Sequence, residues 1–195
     1  FHLNISYGHC KEFSTKSERI QKSQTEKTME PSFWEARWRK NQIGFHLDEI
    51  NPMLIAYLDS LNLHHGDTVL VPMCGKSLDM LYLRNQGFRV IGVELSELAA
   101  RSFFAENNLA FTESQLGDFL RFESEGIIIL CGNIFHLRSD HIADAVASYD
   151  RAALVALPPE MRRKYVDHLS HILPASFKTL LITFKYPQYE MSGPP

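Results

Sequence analysis

The sequence has little that would suit a membrane, a nucleic acid or a metal ion. No apolar run approaches the roughly 18–20 residues that span a bilayer, and a formal net charge of −3 is not the basic excess of polyanion-binding proteins. The three cysteines, Cys10, Cys74 and Cys131, lack the spacing of a metal site, which suits a reducing cytoplasm. We therefore expect a cytoplasmic protein that binds neither a membrane nor nucleic acid and holds no metal.

The composition predicts one folded domain. With 195 residues, of which 45% are hydrophobic and 22% charged, the chain can bury a sizeable core. Residues 11–27 are polar and charged, with almost no aliphatic side chains, so burial would not offset their ordering entropy. We therefore predict a disordered leader over residues 1–28 and a single domain over 29–195, for which Met29 is a candidate start.

The apolar patterns predict helices alternating with buried strands. Helices are expected from Pro31, with Ser32 and Glu35 as a capping box, and over 52–61, 77–85, 97–107 and 159–173. Strands are expected over 68–73, 89–94, 127–131 and 177–186, with a short extended piece at Phe111. Over residues 143–149 the local propensity favours a helix, whereas the alternation of strands and helices requires a strand. We expect the helix to end early and residues 147–149 to be extended.

This alternation is typical of an α/β protein with a doubly wound, mostly parallel sheet of the Rossmann-like kind. Helices then cover both faces of the sheet, and ligands bind at the carboxyl ends of the strands. The residues that follow each predicted strand are therefore the candidate site. They include Gly75, Glu94, Asn133 and the pair Asp150-Arg151.

A single glycine turn and a distant carboxylate are the most informative local pattern. Gly75 follows the first strand, and Glu94 ends the second strand 19 positions later. In nucleoside-binding sheets a carboxylate at this place accepts the ribose hydroxyls, while the glycine turn lies against the rest of the ligand. A solvated strand end is the alternative interpretation of Glu94. The spacing favours an adenosine-type cofactor.

The same turn argues against cofactors that carry several phosphates. A P-loop requires a glycine five residues before Gly75, where the chain has Leu70, so the nest of N–H groups that cradles a triphosphate is missing. A dinucleotide also needs several glycines for close approach of the backbone to the pyrophosphate. S-adenosylmethionine carries no phosphate and needs only one such glycine, so it is the cofactor that the pattern favours.

Other reactive side chains have ordinary explanations. Asn133 can cap a helix, and Asp150-Arg151 can form a surface ion pair or a cap. Cys74 has no base nearby in the sequence to activate it as a nucleophile. The histidine pairs at 64–65 and 168/171 lack a third metal ligand and are expected at the surface.

Five ordered blocks resemble the thiopurine S-methyltransferase family, in particular its bacterial members. The resemblance covers about residues 33–195. The blocks are Phe33-Trp34-Glu35-x-x-Trp38 with Gln42-Ile43-Gly44-Phe45-His46; Val71-Pro72-Met73-Cys74-Gly75-Lys76-Ser77; Gly92-Val93-Glu94-Leu95-Ser96-Glu97; Tyr149-Asp150-Arg151-Ala152-Ala153-Leu154-Val155-Ala156-Leu157; and Gly193-Pro194-Pro195.

The resemblance implies a class I methyltransferase that transfers a methyl group from S-adenosylmethionine to the sulfur of aromatic and heterocyclic thiols such as thiopurines. It implies a tryptophan-bearing segment that folds over the cofactor, an acceptor contact at Phe45 and a ribose contact at Glu94. His46 is a possible polar neighbour of the acceptor, and no catalytic residue is named. The implied cofactor-binding residues are Trp34, Trp38, Met73, Gly75, Glu94, Asn133, Ile134 and Arg151.

The resemblance also implies a C-terminal truncation. Family members continue past the Gly-Pro-Pro segment with a helix and two strands that complete a seven-stranded sheet, so those strands are expected to be missing here and residues 177–186 to form a bare edge. We expect a monomer with a small-molecule thiol as its partner. Two alternatives stay open at this point: methylation of small selenium, tellurium, halide or thiocyanate acceptors, and a non-catalytic cofactor-binding remnant.

Overall fold

The computed structural model describes residues 31–151 and 153–183. Its α-helices are α1 (Pro31–Arg39), α2 (Pro52–Tyr57), α3 (Asp79–Asn85), α4 (Glu97–Glu106), α5 (Ala153–Ala156) and α6 (Pro159–Ile172). Its strands are β1 (Thr68–Pro72), β2 (Arg89–Glu94), β3 (Thr112–Leu116), β4 (Phe119–Ser124), β5 (Ile127–Cys131), β6 (Ala145–Arg151) and β7 (Lys178–Ile182). Short 3₁₀ helices lie at Leu58–Leu61, Ile134–His136 and Ser139–Ile142.

The strands form one sheet in the order β3-β4-β5-β2-β1-β6-β7. The five strands from β5 to β7 in this order run parallel, while β3 and β4 form an antiparallel hairpin at the other edge. The β1 strand lies near the centre, and all five of its residues are buried, as its uninterrupted apolar sequence predicts. The predicted doubly wound, mostly parallel fold is confirmed.

The two faces of the sheet carry separate cores because side chains alternate along each strand. On β1, Val69 and Val71 pack with the phenylalanines of α4, while Leu70 packs on the opposite face with Tyr165 of α6. Gly92 lies where β2 passes under the first turn, and a Cβ placed there would sit 2.7 Å from Cys74 Sγ. This close approach explains a glycine in the middle of a buried strand.

The hairpin corrects the strand count expected from the sequence. The sequence pattern predicts only a short extended piece at Phe111, and the family resemblance assigns two strands of a seven-stranded sheet to a missing C-terminal segment. The described residues already form seven strands, because residues 112–124 supply two of them. Four of the five residues of β3 are exposed and the strand is polar, so it has no apolar pattern to reveal it.

Two further local predictions are wrong in detail. Residues 145–151 are strand throughout, so the extended prediction for 147–149 is confirmed, but the expected preceding helix is only the 3₁₀ turn Ser139–Ile142. Ser32 does not cap α1, because the helix already includes Pro31. The side chain of Glu35 instead accepts a hydrogen bond from the Ser96 hydroxyl.

The strand predicted over residues 177–186 lies only partly within the described residues. Residues 178–182 form β7 at the edge of the sheet, consistent with the predicted edge position. The predicted leader over 1–28, the end of the strand predicted to residue 186 and the Gly-Pro-Pro block lie outside the described residues.

Candidate functional site

Three turns meet at the carboxyl edge of the parallel strands. In the turn after β1, Met73 and Gly75 have φ angles of +48° and +54°. Between them, Cys74 donates its N–H to the Val93 carbonyl at 3.0 Å, and Gly132 after β5 donates to the Glu94 carbonyl at 2.8 Å. These two left-handed residues fold the first turn back onto β2. Glycine is favoured at position 75 because it adopts a positive φ at little steric cost.

The carboxylate of Glu94 connects two of these turns. Its Oε2 accepts the Gly75 N–H at 2.8 Å and its Oε1 accepts the Ser96 N–H at 2.8 Å. The residue is 7% exposed. Desolvation raises the pKa of Glu94, while the N–H groups of Ser96 and Gly75 oppose that shift. The Leu95 N–H also favours the ionised form, and because a carboxylate has about four acceptor positions, acceptor capacity remains for a further donor.

Helix α1 lies directly over the glycine turn. A Cβ built on Gly75 would lie 3.2 Å from the indole of Trp38, so a larger residue would be strained at this positive φ and would require the indole to shift. Glu35 anchors the same helix, since its Oε1 accepts from the Ser96 hydroxyl at 2.8 Å and from the Leu98 N–H at 3.5 Å. The structure therefore brings together Trp38, Gly75 and Glu94, which are far apart in the sequence.

An aromatic cluster continues from α1 to the segment that follows it. The ring of Phe45 makes edge-on contacts with Trp34 and Trp38, at centroid distances of 5.9 and 5.6 Å. Edge-to-face pairs of this kind add to the energy of area burial alone. Phe45 remains 36% exposed. The predicted acceptor-contacting ring thus packs against both tryptophans of α1, of which Trp38 lies over Gly75.

His46 lies beside Phe45 in a mixed environment. Burial lowers the pKa of His46, and the positive charge of Lys76 lowers it further. The Lys76 ammonium is itself paired with the carboxylate of Glu106 at 2.8 Å. A lowered pKa keeps the imidazole neutral at neutral pH, so His46 can accept or donate a hydrogen bond there.

Arg151 connects the end of β6 to the Phe45 segment. Its Nη1 donates to the Phe45 carbonyl at 3.2 Å, and its Nε lies 3.3 Å from Asp79 Oδ2. For the pair Asp150-Arg151 the predicted alternative of a surface ion pair is wrong, because Arg151 pairs with Asp79, which is 1% exposed, and Asp150 is itself 4% exposed. The alternative of a cap fits Asp150, because the Leu154 and Ala153 N–H groups at the start of α5 favour its ionised form. No sequence pattern distinguishes Asp79, since an acidic residue in the first turn of a helix is ordinarily explained by the helix dipole.

The remaining predicted contacts lie at the neighbouring strand ends. Asn133 follows β5, and its Oδ1 accepts the Phe135 N–H at 3.0 Å, so its side chain caps the 3₁₀ turn as the alternative interpretation had it. Ile134 is 5% exposed, and half-buried Met73 packs against the same core cluster. These residues follow the carboxyl ends of β1 and β5, at the same edge of the sheet as Glu94.

Neither a nucleophilic thiol nor a metal site appears in the part of the chain that the structure describes. Cys74 and Cys131 are buried free thiols. Burial raises the pKa of both, that of Cys131 to about 12, and the charge of Glu94 adds to the effect. Within 31–151 and 153–183, no three metal-ligating side chains cluster, and no helix is long and apolar enough to span a membrane.

Comparison with known proteins gives one family. Residues 29–195 match the family described as Thiopurine S-methyltransferase (TPMT). A thiopurine S-methyltransferase of Pseudomonas paraeruginosa is 54% identical over 167 residues, which are 86% of this chain and 77% of the relative. The corresponding Nitrosospira multiformis protein is 52% identical over 86% of this chain and 76% of its own length. The chain thus spans about three quarters of these relatives.

Among solved structures, a TehB-like SAM-dependent methyltransferase from Corynebacterium glutamicum is similar, with a TM-score of 0.48 and 16% identity. The match covers 76% of this chain and 70% of that one.

Proposed function

Because the chain belongs to the thiopurine S-methyltransferase family, whose members are S-adenosylmethionine-dependent enzymes, we propose that its glycine turn, Glu94 and the tryptophans of α1 form the cofactor site. One observation supports this most strongly: the Glu94 carboxylate, held by two backbone N–H groups, lies beside a glycine turn that an indole covers. The proposed reaction is methyl transfer to the sulfur of an aromatic or heterocyclic thiol.

The site fits the proposed cofactor by its chemistry. The remaining acceptor positions of Glu94 suit the two hydroxyls of a ribose, and the Gly75 turn suits the amino-acid tail. Met73, Asn133 and Ile134 are proposed for the adenine side, where the backbone after β5 reaches the same edge. Trp34 and Trp38 would cover the bound cofactor and exclude water from it.

The acceptor is proposed to bind on the side of Phe45. Its partly exposed ring, packed on both tryptophans, offers a flat apolar surface for a heteroaromatic ring. His46 and Arg151 supply hydrogen-bond donors beside it. We propose Arg151 as a contact at the border between cofactor and acceptor, since it is bonded to the Phe45 carbonyl.

When bound, S-adenosylmethionine supplies an electrophilic methyl group on a sulfonium sulfur. A heteroaromatic thiol is already substantially ionised near neutral pH, so these residues need not supply a strong base. They bind the sulfur in line with the methyl group and exclude water, and such positioning can supply roughly 7–11 kcal/mol of the barrier. Cys74 takes no part, because its raised pKa keeps the thiol protonated.

The test is a methyl-transfer assay with S-adenosylmethionine and the thiopurine 6-mercaptopurine. We expect equal amounts of S-methylated product and S-adenosylhomocysteine, and no product from the oxygen analogue hypoxanthine. Turnover with selenium, tellurium or halide acceptors but with no thiol would overturn the proposal. So would binding of S-adenosylhomocysteine without turnover on any thiol.

We also propose that the protein acts as a monomer in the cytoplasm and does not bind nucleic acid. The net charge of −3 argues against nucleic-acid binding. The two buried free thiols suit a reducing compartment such as the cytoplasm. Size-exclusion chromatography with light scattering would contradict the first point if it gave a dimer mass.

A further inference from the structure

A buried carboxylate outside the cofactor turns organises the acceptor side. Asp79, at the start of α3, is 1% exposed. Its Oδ1 accepts the Asn51 N–H at 2.8 Å, and its Oδ2 accepts the Tyr149 hydroxyl at 2.9 Å and lies 3.3 Å from Arg151 Nε. One side chain thus joins three elements that come together only in the folded chain.

These contacts hold both ends of the segment 45–51. Asn51, at its C-terminal end, donates directly to Asp79. Phe45, at its N-terminal end, is held through Arg151, whose Nη1 donates to the Phe45 carbonyl at 3.2 Å. His46 lies between the two anchors. The place of the acceptor-side residues therefore depends on one carboxylate that is too deeply buried to touch a ligand.

We propose that Asp79, itself oriented by the Tyr149 hydroxyl, is the positioning residue of the acceptor pocket and acts through Arg151 and Asn51 on the Phe45–His46 segment. This inference rests on the proposed function and names what sets that site's affinity for the thiol. Loss of the carboxylate would free Arg151 and loosen the segment. The carboxylate of Asp79 bonds neither Glu94 nor Gly75 among the described hydrogen bonds, and only the backbone N–H of Asp79 contacts the turn, at Ser77 Oγ, so Glu94 and Gly75 would stay in place.

The chain contains a matched pair that can serve as a control. Tyr165 donates to Asp150 Oδ2 at 2.8 Å, much as Tyr149 donates to Asp79. Both tyrosines are at most 2% exposed, and burial raises the pKa of both, so both hydroxyls remain protonated donors. Tyr165 packs in the core of the opposite face of the sheet.

The experiment uses the full chain and three variants, and it measures two constants: the acceptor KM, with a thiopurine as substrate, and the affinity for S-adenosylhomocysteine. Asp79→Asn should raise the acceptor KM about tenfold or more, since one oxygen of the carboxylate is replaced by an NH₂ group facing Arg151. Tyr149→Phe should raise it about threefold, because one of the donors to Asp79 is lost. The cofactor affinity should fall clearly less than the acceptor affinity in both variants, because Arg151 is proposed to contact the cofactor only at its border and the bonds of Glu94 to Gly75 and Ser96 stay in place.

Tyr165→Phe is the matched control and should leave both constants within about twofold. An unchanged acceptor KM in folded Asp79→Asn, an equal loss of cofactor affinity, or an equal effect of Tyr165→Phe would overturn the inference. Thermal denaturation shows whether Asp79→Asn folds. If it does not, the acceptor KM of Tyr149→Phe, compared with that of Tyr165→Phe, decides whether the inference holds. An inactive unsubstituted chain would instead contradict the proposed function itself.

Discussion

Replacing Glu94 by glutamine should separate cofactor binding from folding. Glutamine keeps the shape of the side chain but presents one acceptor oxygen and one NH₂ group. In the structure the two carboxylate oxygens accept from Gly75 and Ser96. One of these N–H groups would therefore face a donor, and the oxygen that remained would carry no charge toward a ribose.

The size of the loss follows from the bonds involved. A hydrogen bond to a charged group contributes about 1.5–3 kcal/mol, which corresponds to roughly a tenfold to hundredfold change in affinity. We expect Glu94→Gln to weaken S-adenosylhomocysteine binding by that factor. The stability should change less, because the loss of one backbone bond is opposed by relief of the buried charge.

The raised pKa of Glu94 gives this variant a second signature. Between the ordinary pKa of a glutamate and the raised one, the folded chain binds a proton more tightly than the unfolded chain. The contribution of Glu94 to stability is thus largest at acid pH and is lost as the pH rises through that window. Glu94→Gln should remove this part of the pH dependence in urea denaturation.

Isothermal titration with S-adenosylhomocysteine is the decisive assay. Glu97→Gln is the matched control, since this exposed carboxylate lies three positions away and pairs with Arg101. It should leave the affinity within about twofold. A folded Glu94→Gln protein that binds S-adenosylhomocysteine as tightly as the unsubstituted chain would refute the assignment of this carboxylate.

Two further predictions concern packing and protonation. Gly92→Ala should destabilise the fold by about 1–3 kcal/mol, because its Cβ would lie 2.7 Å from Cys74 Sγ. The control is Gly44→Ala, since a Cβ at Gly44 would have nothing within 4 Å. Equal melting temperatures of the two variants would contradict the packing argument. His46 has a lowered pKa, so the unfolded chain protonates first and stability should fall as the pH drops below about 6.5. His46→Gln should reduce that fall in urea denaturation at pH 7.5 and 5.5, and identical pH dependence in both proteins would argue against it.

Short-range patterns predicted the central sheet because its strands are apolar on both faces. The runs around Val71 and Ile129 can be satisfied only by burial, so β1, β2 and β5 followed directly. The spacing from Gly75 to Glu94 and the resemblance gave the family, the cofactor and the reaction class, which the family match confirms. The structure then brought those two residues within hydrogen-bond distance.

The parts that the sequence did not reveal depend on partners far away in the chain. The β3 strand is polar because it lies at the edge, so only its pairing with β4 identifies it. Glu35 fits a capping box, yet its partner is Ser96, 61 residues away. Asp79 resembles an ordinary first-turn acid, and only the fold brings Arg151 and Tyr149 to it.

The chain contains two tryptophans, and both lie in the aromatic cluster at the proposed site. Its intrinsic tryptophan fluorescence therefore originates entirely from helix α1, with no indole background from the rest of the chain. A purine entering beneath these indoles would change their emission, so unlabelled protein can serve as its own optical sensor in stopped-flow measurements of ligand arrival and departure.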